Sequence, residues 1–239
     1  MQPLPRQLAA VLLLVCLAPP LAMAAEFWLK KPYKQWSPDE TQKMLTESPW
    51  ATTLTLGGFQ TRVADGADQA GYRGEMDTNP QISYTLRFAS ALPIREAQVR
   101  ASELGAHYDS MKPEQKSAAD ANAAKFLAVA FPDRVIVTVT FHSDVGNFQS
   151  LLRTYWTEQS LAKLSMTTYL HTKTDKLSLT GFSAKDDTFQ FVFPRPKDLR
   201  PDDKLGVEFV HPRINVIGEQ RVFQEFSVKK MQVDGQPAF

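Results

Sequence analysis

Four histidines, His107, His142, His171 and His211, are the first side chains in this 239-residue sequence to test for acid–base or metal chemistry. None lies in an HExxH or HxH arrangement, and no two stand four apart on a helical pattern, so the spacing that aims two imidazoles at one ion is missing. His107 precedes Asp109 by two residues and His142 precedes Asp144 likewise, an arrangement in which a carboxylate can orient an imidazole as a base. Neither pair is accompanied by an activated-serine motif, and both read as strand-end or loop histidines. Ser160-Leu161-Ala162-Lys163 and Ser227-Val228-Lys229-Lys230 fit the SxxK pattern of penicillin-recognising enzymes, but no KTG or SDN triplet supports them, and GxSxG is absent. Asp186-Asp187 and Asp202-Asp203 pair carboxylates in turn-like stretches, where acids recur for backbone reasons, whereas a glycosidase holds its acids across a cleft. Gly57-Gly58 is not followed by Gly-Lys-Ser/Thr and so makes no phosphate cradle. No catalytic residue, metal ligand or cofactor is assigned from these patterns.

Two stretches carry a binding signal instead. From Phe27 to Trp36 the sequence alternates aromatics with lysines, a composition suited to a membrane interface or an anionic partner. It lacks the 3.6-residue period of an interfacial helix, so it reads as an extended arm laying its rings on the domain. From Pro194 to Asp203 three prolines and a dense run of charges make a stiff connection that no strand can contain. Binding residues gather on loops held by a scaffold, which singles out Trp28, Trp36, Arg195 and Arg200. With 27 basic and 26 acidic residues the formal charge is +1, which argues against a dedicated nucleic-acid partner, since phosphate recognition requires a concentrated basic surface.

Compartment follows from the first residues. Arg6, an apolar run from Leu8 to Leu17 and Ala22-Met23-Ala24 before Ala25 compose a secretory signal peptide over residues 1–24. The apolar run is shorter than the ~20 residues of a membrane span, so no stable span is expected. Cys16 also raises a lipoprotein signal, but Val15 directly before it fits such processing poorly. As the only cysteine, it leaves a mature chain with no disulfide or thiolate chemistry. Residues 25–239 are expected to form one exported domain, periplasmic or extracellular, divisible into a mixed lobe at 25–164 and a β-meander at 165–239.

The elements that must position any site are legible from periodicity. Arg134 to His142 is the densest run of β-branched residues. Val135, Val137, Val139 and Phe141 occupy one side and Ile136, Thr138, Thr140 and His142 the other, which predicts a strand with one face in the core. Ala51–Leu56 and Ile82–Phe88 also alternate, separated by a long loop through Pro80. Ser37-Pro38-Asp39-Glu40 starts a helix that ends before Pro49, with Met44 facing the body and Trp50 a plug beyond it. Pro93 to Gly105 predicts a helix with a Glu96–Arg100 pair on a solvated face, and Pro113 to Ala130 a second with Phe126, Leu127 and Ala130 as its buried end. The segment between Phe88 and Val135 is long enough for parallel pairing of their strands, and direction stays open. Val145 through Ala162 carries an aromatic stripe at helical spacing, expected in the core. Six short strands follow: Met166–Thr172, Leu177–Phe182, Thr188–Phe193, Leu205–His211, Val216–Ile217 and Val222–Met231. The fold class is α+β, an antiparallel-rich sheet or sandwich with three to four covering helices and a C-terminal β-meander.

Trp36-Ser37-Pro38-Asp39-Glu40, Ser48-Pro49-Trp50-Ala51, Phe193-Pro194-Arg195 and Lys229-Lys230-Met231 together resemble a family of secreted bacterial proteins of unknown function. The resemblance covers most of the mature chain and implies a secreted location, with no activity and no site residues. The function expected from all of this is a non-enzymatic exported domain that binds an envelope or extracellular protein or a small ligand. Two alternatives stand beside it: a carrier of a hydrophobic ligand lined by the Phe148–Trp156 stripe, and a hydrolase that brings a histidine and a carboxylate together.

Overall fold

The strand built from Arg134–Ser143 (β3) lies at the centre of a five-stranded antiparallel sheet, and the other elements are arranged about it. The computed structural model describes residues 27–57, 81–215 and 217–239. The expected signal peptide, the loop through Pro80 and Val216 fall outside the described residues. Val135, Val137 and Val139 are 0 % exposed, while His142 on the opposite side is solvent-exposed, so the period of two sorts the strand as its composition requires. β3 is flanked by Gln81–Phe88 (β2) and Thr188–Pro194 (β7), and the order is completed by Ala51–Gly57 (β1) beyond β2 and Gly181–Lys185 (β6) beyond β7. β2 runs antiparallel to β3, with Tyr84 opposite Phe141, which settles the direction that the long connection left open.

A second, four-stranded sheet has the order β5-β4-β8-β9, from Tyr169–His171 (β4), Lys176–Ser178 (β5), Lys204–His211 (β8) and Gln220–Ser227 (β9). The C-terminal strands therefore do not form one continuous meander. β6 and β7 leave the run to pair with β3, and the division at residue 165 is crossed by the β3–β7 ladder. The region expected as Leu177–Phe182 is two strands belonging to different sheets, separated at Leu179-Thr180. Beyond Ser227 the expected last strand gives way to a 3-10 turn at Val228–Lys230, and Ile214 and Ile217 make an isolated bridge. The two sheets face one another. Phe209 of β8 meets Tyr84 at 5.3 Å and Phe189 at 6.0 Å, and Phe226 of β9 meets Phe88 at 4.9 Å, so aromatic edges fill the interval between the sheets.

Helices close the remaining apolar surface. Pro38–Thr46 (the second helix, after a four-residue turn at Phe27–Lys30) begins with a complete capping box: Ser37 Oγ accepts from Glu40 N while Glu40 accepts from Ser37 N. With the turn as α1 and this helix as α2, Leu92–Gly105 is α3, Pro113–Leu127 is α4, Gly146–Thr157 is α5 and Leu161–Leu164 is α6. The stripe through Phe148, Leu152 and Trp156 is core, with Trp156 stacked on Phe189 at 3.9 Å. Ser160 ends the expected continuation to Ala162 by capping the separate α6.

Four local expectations change. The aromatic arm is not extended but forms α1 and a 3-10 turn at Tyr33–Gln35, and its rings do pack on the body: Phe27 against Trp36 at 5.3 Å and Trp28 against Trp50 at 5.9 Å. Arg100 pairs with Glu103 at 3.2 Å and not with Glu96, because its Nε is drawn to the carbonyl of Trp36 at 3.0 Å. The α3 face is not fully solvated, since Arg95 and Glu103 are each 7 % exposed. In α4 the inward residue is Ala123, and Phe126 is 43 % exposed, because α4 rests on α3 with no sheet beneath its last turn. That end is held by Arg95, whose Nη1 donates to the carbonyls of Phe126, Leu127 and Val129 at 3.1, 3.0 and 2.7 Å.

Candidate functional site

The β7–β8 connection and the β4–β5 turn close around a cavity of about 490 Å³, and Arg195 and Arg200 both line it. Backbone chemistry shapes each wall. Pro194 and Pro196 remove the amide donors that would extend β7, so the chain turns away from the sheet. Asp198 takes a left-handed conformation at φ 56°, which acidic and amide side chains tolerate better than most. Asp203 then folds the loop back: its Oδ2 accepts from Arg200 N at 2.8 Å, and its own N donates to Arg200 O at 3.0 Å. Across the cavity, Thr172 Oγ1 accepts from Asp175 N at 2.8 Å and Thr174 N at 3.3 Å, fixing the hairpin that presents Lys173.

The lining is charged in both senses, with Lys173, Arg195, Lys197 and Arg200 set against Asp175, Asp198 and Asp203. The two candidate arginines do different work. Arg195 is a tie: its Nη1 donates to Phe131 O at 3.3 Å and to Phe239 O at 2.5 Å, its guanidinium lies 5.3 Å from the Phe239 ring, and burial lowers its pKa. Arg200 has a side chain 63 % exposed, free to close on a bound molecule. Asp203 is the unusual member. It is 7 % exposed, and its Oδ1 is withdrawn from solvent with no hydrogen-bond partner, the nearest cation being Arg200 Nη2 at 4.0 Å. A buried carboxylate oxygen with no donor is costly to maintain.

The other candidates lie apart from that cavity's lining. Trp36 is a core residue at 1 % exposure, its indole donating to Lys31 O at 3.2 Å, and Trp28 is half-buried on Trp50. Asp144 accepts from Gln81 N at 2.9 Å, holding the end of β2, and His142 is exposed on β3. His107 sits exposed at φ 52° in the turn after α3. Ser160 Oγ is occupied as a helix cap. Among the described residues no group of three or more His, Cys, Asp or Glu is placed to hold a metal ion, and no helix is long and apolar enough to cross a membrane.

Two constellations were not legible in advance. His171 Nε2 meets Glu208 Oε2 at 2.5 Å on the outer face of the second sheet, with Arg221 Nε 3.3 Å from Oε1 and Lys176 Nζ 4.0 Å from Oε2, so a carboxylate 5 % exposed is held by three basic groups. The signal is Glu208 itself, an acid in the middle of the apolar stretch Leu205–Val210. His211 is 0 % exposed, its Nδ1 2.7 Å from Tyr84 Oη and its Nε2 without a partner; burial lowers its pKa to about 4 and raises that of the Tyr84 phenol. Comparison of this chain with protein-family models, with curated proteins and with solved structures finds no match.

Proposed function

We propose that this is an exported, non-enzymatic binding domain that takes a small hydroxylated acid, of the acidic-sugar class, in the cavity between Thr172–Asp175 and Pro194–Asp203. The single observation that carries the reading is the buried, unpartnered Oδ1 of Asp203 among the lining residues of a cavity that also presents Lys173, Lys197 and Arg200. With the Arg200 side chain swung aside to uncover Oδ1, a hydroxyl of the ligand would donate to Asp203, and its acidic group would face the basic side chains. A volume of about 490 Å³ lies within the range of small-molecule sites, and Leu177, Pro194, Pro196 and Leu199 supply the apolar contact such sites use. Export is supported by the composition of residues 1–24, a basic residue, a short apolar run and small residues at its end.

The two other readings have less to rest on. His171 and Glu208 are within hydrogen-bond reach, as a hydrolase would need, but they lie on a sheet face and not among the residues lining this cavity. The Phe148–Trp156 stripe is consumed by packing against Phe189 and Phe209, which leaves it nothing to offer a hydrophobic cargo.

The test is a thermal shift and calorimetric titration with glucuronate, glucose and acetate. Glucuronate alone, having both hydroxyls and an acid, should raise the melting temperature, with a stabilisation that grows with the logarithm of its concentration above Kd, and Arg200→Ala should weaken its binding with the fold intact. Equal responses to all three, or none, would overturn the proposal.

A further inference from the structure

Phe223 of β9 is 50 % exposed on the outer face of the second sheet, at that sheet's end strand. Its ring occupies the space over Gly206, where an added Cβ would lie 2.6 Å from Phe223 Cζ, and it meets His171 edge-on at 5.5 Å. The ring is thus held in place on the sheet surface while half of it faces solvent. β9 has eight residues, against seven in β1, five in β6 and three in β5, so it is the longest end strand of the two sheets. α2 packs against β1, whereas among the described residues nothing pairs with the open side of β9. An open edge of that length offers a row of backbone donors and acceptors to another strand.

The order of side chains along β9 decides which strand fits. In an antiparallel pair, residues directly opposite one another point to the same face, and a strand paired with its own copy does so about a two-fold axis through one residue. With the axis at Phe223, that ring meets its counterpart, Arg221 stands opposite Glu225 of the copy, and Glu225 opposite its Arg221. On the inner face Val222 then faces Gln224, and Gln220 faces Phe226. Moving the axis to Val222 sets Glu219 against Glu225, and moving it to Gln224 leaves Arg221 opposite Ser227, so only the Phe223 register matches both charges. The Arg221 and Glu225 side chains are 71 % and 49 % exposed, which leaves both able to reach across. Their present partners, Glu208 for Arg221 at 3.3 Å and Lys204 for Glu225 at 2.9 Å, would extend the new pairs into charge chains on each side of the axis.

We infer that this chain forms a two-fold dimer by antiparallel pairing of β9 with β9 of a second copy, in the register centred on Phe223. The two four-stranded sheets then join into one of eight strands. The aromatic pair at the axis and the two flanking ion pairs are the cross-strand contacts that stabilise such a junction beyond its backbone hydrogen bonds.

Sedimentation equilibrium on the full chain tests this, with charge reversal as the discriminating step. The wild type should be dimeric; Arg221→Glu and Glu225→Arg should each weaken association by about tenfold or more, by setting like charges opposite one another. The double variant, which exchanges the charges within the same register, should recover part of it, since the cross-strand pairs are restored while the pairs with Glu208 and Lys204 within each chain are not. Circular dichroism confirms that each variant is folded. Should a reversal unfold the chain, Phe223→Cys in a Cys16→Ser background decides instead, since cysteines facing each other on the axis should link into a disulfide dimer under mild oxidation, while Lys185→Cys on β6 should not. A wild type that stays monomeric at its highest soluble concentration, a dimer indifferent to both reversals, or equal cross-linking from both cysteine positions overturns the inference.

Discussion

Tyr84 on β2 and His211 on β8 meet across the interval between the two sheets, phenol oxygen to Nδ1 at 2.7 Å, with both side chains at 0 % exposure. One hydrogen bond satisfies the phenol, and the imidazole keeps a second nitrogen, Nε2, with no partner. A charged imidazole there would be withdrawn from solvent against the Tyr84 ring, 5.7 Å away, which is why burial lowers its pKa to about 4.

A pH dependence of stability follows from that pair. The folded-state pKa lies below the unfolded value of 6.5, so as pH falls the unfolded chain takes up the proton first. The stability from a neutral His211 is therefore complete above pH 6.5 and is lost as pH falls through about 4, a change on the order of 3 kcal/mol. Urea unfolding of wild type and of the Tyr84→Phe, His211→Leu double variant, compared at pH values on either side of that window, measures it. The double variant should show the smaller loss.

Trp36 separates packing from binding in the aromatic arm. At 1 % exposure, with Phe27 against its ring and its indole bonded to Lys31 O, it belongs to the core, and Trp36→Ala should cost about 3–5 kcal/mol. Trp28→Ala, at a half-buried position, should cost less. Chemical denaturation of the two variants checks the order.

Arg95 is expected to matter as a helix stop. Its Nη1 is shared among three carbonyls at the end of α4, so Arg95→Met should leave those acceptors unpaired and cost about 1–3 kcal/mol. Hydrogen exchange should report the loss mainly in Pro113–Leu127, with the β3 amides retaining their protection.

The capping box at Ser37 gives a smaller and local effect. Ser37→Ala removes the acceptor for Glu40 N and should destabilise by about 1 kcal/mol, and Ser37→Asp, which keeps an acceptor, should recover most of it. Thermal unfolding of the two variants distinguishes a lost cap from a general packing defect.

Much of this architecture is written locally. β3 and β7 are legible because their alternation has no helical solution: Val135, Val137 and Val139, and Phe189, Phe191 and Phe193, each fall on one face, and all six are 0 % exposed. The start of α2 is legible because Ser37, Pro38 and Glu40 each fill a position only a helix N-terminus creates. Pairing over long sequence separations is not local. Nothing in Gly181–Pro194 marks β6 and β7 as partners of β3 and not of β4, since a half-buried strand reads the same in either sheet. Phe126 fails for a related reason: periodicity names a face but not whether anything lies beneath it. The site was half legible. The prolines and charges of Pro194–Asp203 announce an irregular exposed loop and bring out Arg195 and Arg200. The placing of Asp203, by contrast, involves a partner distant in sequence, Val228 N, which donates to its carbonyl at 3.1 Å from beyond β9.

An amide NMR titration of the wild-type chain with glucuronate tests the central claim most directly, because it reads where the ligand sits. Saturable shifts concentrated in Thr172–Leu177 and Arg195–Asp203, reduced in Arg200→Ala, are the predicted result. Saturable shifts centred elsewhere, or a spectrum that glucuronate leaves unchanged, would contradict it.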